Sequence, residues 1–130
     1  SNNTSSLEDF IFYRPVDGLI TSVFNPQEKH FGVDVVAGKN TSVKSCLDGV
    51  VVFADWSSSK GNVIIIQHVD NIVSSYMHNS ILVKETNDLV KAGEVVGVVG
   101  NSGELTSGPH LHFELWQNGM PIDPEEYIDW

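Results

Sequence analysis

No segment of this chain sustains a helical period. Short runs rich in β-branched and aromatic residues alternate instead with turn chemistry. The runs are Val33–Val36, Val50–Ala54, Val63–Val69, Ile72–Tyr76, Val95–Val99 and Leu111–Trp116. Between them lie Ala37-Gly38-Lys39-Asn40, Leu47-Asp48-Gly49, Ser59-Lys60-Gly61-Asn62, Asp70-Asn71, Ala92-Gly93 and Asn101-Ser102-Gly103. Side chains branched at Cβ fit a pleated surface, and Gly, Asn and Asp tolerate the left-handed backbone of tight turns. Many short strands joined closely predict a mostly β fold, an antiparallel β-sandwich or partly open barrel. Residues 1–14 are Ser/Asn-rich and end in Phe10-Ile11-Phe12-Tyr13, and read as an N-terminal leader packed on a single domain over 15–130. At 130 residues such a domain buries roughly two thirds of its unfolded surface.

Charge narrows the partners. Seven basic and seventeen acidic residues give a formal charge of −10, the wrong sign for a phosphate-binding surface, so no nucleic acid is expected. Nothing attracts the chain to anionic lipid, and with no run of ~18 apolar residues this segment is not expected to insert into a membrane. The start Ser1–Ser6 lacks Met and reads either as the cut edge of a longer chain or as the start of a mature one. Cys46 is the sole cysteine, which excludes an intrachain disulfide and a Cys-rich zinc site.

Two short motifs, distant in the chain, carry chemistry: His30-Phe31-Gly32-Val33-Asp34 and His110-Leu111-His112-Phe113-Glu114. Each places metal-competent side chains an even number of residues apart, hence on one face of an extended strand. In the second motif Leu111, Phe113 and Leu115 point into a core and leave His110, His112 and Glu114 on the opposite face. Three titratable groups in a row on one strand face are rarely packing. A His/His/Asp set with an open position for water is the arrangement of catalytic zinc, whereas structural sites are closed by four ligands. Asp34 sits in an apolar stretch where an inward carboxylate is costly unless paired or metal-bound; a solvent-facing ion pair with His30 is the plain alternative. His78, after Tyr76-Met77, is either an exposed turn residue or a further polar group at the cleft. His68 shares a face with Ile64 and Ile66 and reads as structural. Glu114 lies one pleat beyond His112, about 7 Å along the strand, and is expected to orient a ligand histidine or a neighbouring backbone group at the groove edge.

These motifs resemble the lysostaphin-like (LytM-type) zinc endopeptidases that cut peptidoglycan peptides. The likeness also takes in Tyr76-Met77-His78, Val90–Gly103 and Asn118–Pro124, in family order from about Gly18 to Pro124. The resemblance implies one zinc per chain held by His30, Asp34 and the second histidine of the pair, His112. His110 and His78 match the family's two non-ligand catalytic histidines, one the general base and the other a stabiliser of the oxyanion. It also implies an active-site groove on one antiparallel sheet, peptidoglycan peptides as substrate, and a bacterial location outside the cytoplasm: periplasm, envelope or secreted. A monomer is expected. Two departures, Phe24–Lys29 before the first ligand and Asn79 where Leu is common, bear on substrate preference, as do the loops 25–29, 55–60 and 80–88.

A competing reading keeps the same fold as a non-catalytic wall-binding or hydrolase-activating module. Some family members have lost ligands and act that way, but this chain keeps all five positions. A biotinyl or lipoyl carrier, suggested by Val90–Gly103, needs a lysine at a hairpin tip. Neither Asp70-Asn71 nor Asn101-Ser102 supplies one.

Overall fold

The computed structural model describes residues 7–100 and 108–130, so the expected turn at Asn101-Ser102-Gly103 lies outside the described residues. Ten strands are present there: β1 (Leu19–Ser22), β2 (Val33–Val36), β3 (Ser42–Lys44), β4 (Gly49–Ser57), β5 (Gly61–Gln67), β6 (Ile72–Leu82), β7 (Leu89–Val90), β8 (Val95–Val99), β9 (His110–Gln117) and β10 (Met120–Ile122). The only helical pieces among the described residues are 3₁₀ turns at Leu7–Asp9, Pro26–Glu28 and Pro124–Glu126. The fold is therefore mostly β and antiparallel. Its strands run in the order β1-β2-β9-β6-β5-β4-β7, with β10 beside β9 and β8 joining β3 to β6, and the sheet does not close into a barrel.

Period-two alternation decides which side each residue takes. On β9, Leu111, Phe113 and Leu115 are fully buried while His110, His112 and Glu114 are only partly so. On β2, Val33 and Val35 go to the core and Asp34 to the other face. One hydrophobic core gathers these residues with Ile64, Ile66, Ile72 and Tyr76, and with Val43, Val96 and Val99 from the β3–β8 pair. Leu7 is buried in that core, and Phe10 and Phe12 pack against it.

Strand β6 is the branch point of the sheet. Its first half pairs with β5 on one side and β9 on the other; beyond His78 it pairs with β8. Ile64 faces Tyr76 but Asn62 faces Asn79, so β6 carries an extra residue there, a β-bulge. His78 takes the left-handed conformation at φ 71°. The sequence pattern ends this strand at Tyr76 with His78 in a turn; instead the strand continues through a kink. Asn79 holds the kink, being fully buried with its amide donating to the Asn62 and Tyr76 carbonyls at 3.0 Å each. Its departure from Leu thus acts on the backbone under the site rather than on the groove wall.

Candidate metal centre

Neighbouring strands bring the two motifs together. Asp34 on β2 is the direct cross-strand partner of His112 on β9, and His112 faces Met77 on β6. His30 arrives differently from the expected strand alternation. It precedes β2, follows Lys29 in the left-handed conformation, and is fixed by paired backbone hydrogen bonds with Asn25. Gly32 is required between them, because a Cβ there would collide with the Phe113 carbonyl.

The contacts select which nitrogen of each ring faces the centre. His30 donates from Nδ1 to the Val23 carbonyl at 2.7 Å, which turns Nε2 toward Asp34 Oδ2 at 3.0 Å. His112 donates from Nε2 to Glu114 Oε2 at 2.9 Å, and its Nδ1 lies 2.7 Å from Asp34 Oδ1. Glu114 takes a second donor, Trp116 Nε1, at 2.9 Å. Donor atoms of His30, Asp34 and His112 all lie within 4.8 Å of one another, so the three could hold a metal ion. Each histidine has its outer nitrogen hydrogen-bonded to oxygen, the usual support for a ligating imidazole. The donor set, two imidazoles and a carboxylate, suits zinc.

Electrostatics favour a cation here. Burial opposes charge on His112, but hydrogen bonds to Asp34 and Glu114, with their negative charge, outweigh it and push its pKa up to about 9. Burial likewise raises Asp34 and Glu114, yet both end below the usual carboxylate range, Asp34 through His112 and His30, and Glu114 through His112, Trp116 and the charge of Lys60. Without metal, a proton on His112 therefore stands where a metal would put its charge.

His78 and His110 complete the row. Their ring centroids are 5.0 Å apart, His78 lies 6.5 Å from His112, and His30 lies 5.2 Å from His112. The His110 ring is anchored by its Nδ1 donating to the Gly108 carbonyl at 3.1 Å. A left-handed backbone at a non-glycine residue costs of order 1 kcal/mol or more, and His78 holds that conformation because the bulge requires it. All five residues singled out in the sequence thus share one face. His68, set aside, is buried on the opposite side.

The profile of Peptidase family M23 matches residues 28–124, which spans every residue of this row.

The chain belongs to Peptidase family M23.

Among curated relatives, the DD-carboxypeptidase/endopeptidase Mpg of Neisseria gonorrhoeae is 38% identical over 95 residues, covering 73% of this chain and 22% of that protein. The murein hydrolase activator NlpD of Escherichia coli is 33% identical over 116 residues, covering 88% and 30%. The chain thus spans less than a third of the length of either. Among solved M23-like structures, a zinc-containing peptidase from Vibrio cholerae superposes with TM-score 0.81 at 32% identity, over 88% of this chain and 39% of that one. Lysostaphin from Staphylococcus simulans gives 0.75 at 32%, over 85% and 48%.

Sequence reasoning missed the ground beside the M23 row. On the same face, Lys60, Ile65, Ser75 and Met77 line a cleft with Glu114 and Trp116. Alternation along β5 and β6 could have placed Ile65, Ser75 and Met77 there; only the β4–β5 turn brings Lys60 over them. Lys60 was in reach only as one end of a loop that bears on substrate choice.

Proposed function

We propose that this domain is a zinc-dependent endopeptidase that hydrolyses peptide cross-links or bridges of bacterial peptidoglycan, acting as a monomer outside the cytoplasm. The observation that carries the reading is the convergence of His30, Asp34 and His112 with His78 and His110 alongside. His30, Asp34 and His112 would hold the ion, which when bound supplies a Lewis acid with an open position for water and substrate carbonyl. The protein does the rest. Glu114 and the Val23 carbonyl fix the ring nitrogens that face the ion. His78 and His110 stand next to that position without being needed as ligands. One takes a proton from the attacking water and the other hydrogen-bonds the oxygen on which negative charge develops. The outer sheet face provides the trough in which an extended peptide lies.

The relatives named as DD-endopeptidases support a peptidoglycan cross-link as substrate, and the relatives named as murein hydrolase activators support the second reading, a module that activates another wall hydrolase. The complete ligand set with both flanking histidines favours catalysis. Elemental analysis of protein purified without chelator, with mass spectrometry of muropeptides released from purified peptidoglycan, decides between them. One zinc per chain and new peptide ends are expected. Zinc without any released peptide, together with stimulation of a separate hydrolase, would give the activator reading.

No helix among the described residues is long and apolar enough to cross a membrane.

A further inference from the structure

We infer that the sheet face beside the metal centre is a subsite for a free carboxylate on the substrate peptide, and that Lys60 selects it. The inference rests on the peptidase reading above and narrows its substrate class. Two adjoining clefts cross this face and share Lys60, Ile65 and Met77. One runs outward to Phe53 and Ser57 on the β4–β5 hairpin. The other runs inward over Ser75 to Glu114 and Trp116, next to His112. Lys60 is the one cation lining either cleft, and among the described residues its ammonium forms no ion pair.

Its position is built into the fold. The Lys60 amide donates to Ser57 Oγ at 3.1 Å, and its carbonyl accepts from the His78 amide at 2.9 Å. The hairpin end is thereby tied to the strand that carries His78, which fixes the backbone from which the Lys60 side chain reaches over the cleft. Glu114 attracts the lysine across the cleft but forms no direct ion pair with it; its two oxygens accept from His112 and Trp116. Beneath, Ser75 has a buried hydroxyl with no hydrogen-bond partner among the described residues, one polar point in a floor otherwise formed by Val73, Ile65 and Met77.

Charge counting gives the ligand. A divalent ion and Lys60 together bring three positive charges to the trough against two negative ones on Asp34 and Glu114, so one positive charge is left over although Lys60 and Glu114 attract each other. Elsewhere the chain is strongly acidic, with net charge −10. An anionic group on the substrate is therefore repelled over most of the surface and attracted here, in the cleft that adjoins the metal centre. A neutral oligoglycine segment gains nothing from Lys60. A cross-link peptide with a free carboxylate next to the scissile bond does.

The test uses two synthetic cross-link peptides that differ only in a free carboxylate or a carboxamide on the residue adjoining the scissile amide. kcat/KM is measured on the zinc-loaded protein, and dissociation constants on the zinc-loaded His78→Ala variant. The acid should be preferred about five- to tenfold in both, as suits one charge-assisted hydrogen bond at a part-exposed site. Lys60→Met should remove that preference, Lys60→Glu reverse it and Lys60→Arg retain it. Equal use of both peptides by the parent, or a preference that survives Lys60→Met, would overturn the assignment of Lys60 and leave the peptidase reading standing. Failure of the zinc-loaded parent to cut either peptide or whole peptidoglycan would remove both.

Discussion

His112 and His68 sit on opposite faces of the same sheet, His68 buried and His112 largely covered, and their surroundings drive them in opposite directions. His68 lies in a neutral network: Nδ1 donates to the Asp48 carbonyl at 2.7 Å, and Nε2 meets Ser74 Oγ at 2.7 Å, which meets the Tyr76 hydroxyl at 2.7 Å. Burial lowers its pKa, and the Asp48 carbonyl and the negative charge of the Asp48 side chain, which pull the other way, do not make up for it. Cys46 closes the same network, and burial holds its thiol up at about 11, so it stays protonated and inert. His112 faces two carboxylates and is pushed up to about 9. Burial alone therefore says little about what a histidine does. The charge of its partners separates a structural imidazole from one poised to exchange a proton for a metal.

The most severe way to break the contrast is to remove the charged partner. Asp34→Ala with His112→Ala should abolish zinc binding and with it all hydrolysis, read by elemental analysis; full occupancy surviving the double change would overturn the ligand assignment. His78→Ala should keep zinc and fold yet lose ~10² to 10⁴-fold in turnover, the usual range for acid–base help. A parent rate of peptidoglycan cleavage in that variant would return His78 to a purely structural place in the bulge.

Glu114→Gln sharpens the comparison by weakening one of His112's two carboxylate partners. The amide still accepts from a ring N–H but carries no charge, so the expected loss is ~10 to 100-fold in metal affinity or activity, typical of a group that orients a ligand. A larger collapse with zinc still bound would make Glu114 the base. On the other face, His68→Ala should cost about 1–3 kcal/mol of stability through stranded polar groups, measured by denaturant unfolding, with zinc content per folded chain unaltered.

The smallest signal is a proton. In the metal-free protein His112 is raised above the ordinary histidine value near 6.5, so its contribution to stability is complete below ~6.5 and is lost as pH rises through about 9. His68, lowered, gives the opposite slope, and its contribution fades as pH drops below ~6.5. Zinc takes the place of the His112 proton, so binding near pH 7.5 should release close to one proton, and the release should fade through about 9. Calorimetry in buffers of different ionisation enthalpy measures it. Histidine left at its ordinary value would release almost none.

Much of this site is written in local pattern. Alternation over His110–Glu114 already divides core from site, because a strand's period of two leaves no other choice once Leu111, Phe113 and Leu115 are apolar. The same rule exposes Asp34 between Val33 and Val35, and Asp70-Asn71, both at positive φ, mark the β5–β6 turn. The short strands β1, β3, β7 and β10 were not legible, since two to four residues carry too little periodicity to stand out from loops. Nor was the way His30 reaches the centre, which depends on a backbone bridge to Asn25 and not on strand alternation.

The sequence by itself determined the residue types, the strand faces and the charge: a β chain with four histidines and a carboxylate available to one surface, and an acidic exterior. Tertiary structure decided what those residues do. Pairing β2 with β9 set Asp34 opposite His112, the bulge in β6 turned His78 toward His110, and the β4–β5 turn carried Lys60 over the sheet. These are contacts between residues far apart in the chain, and local propensity carries no information about which distant strand will lie alongside.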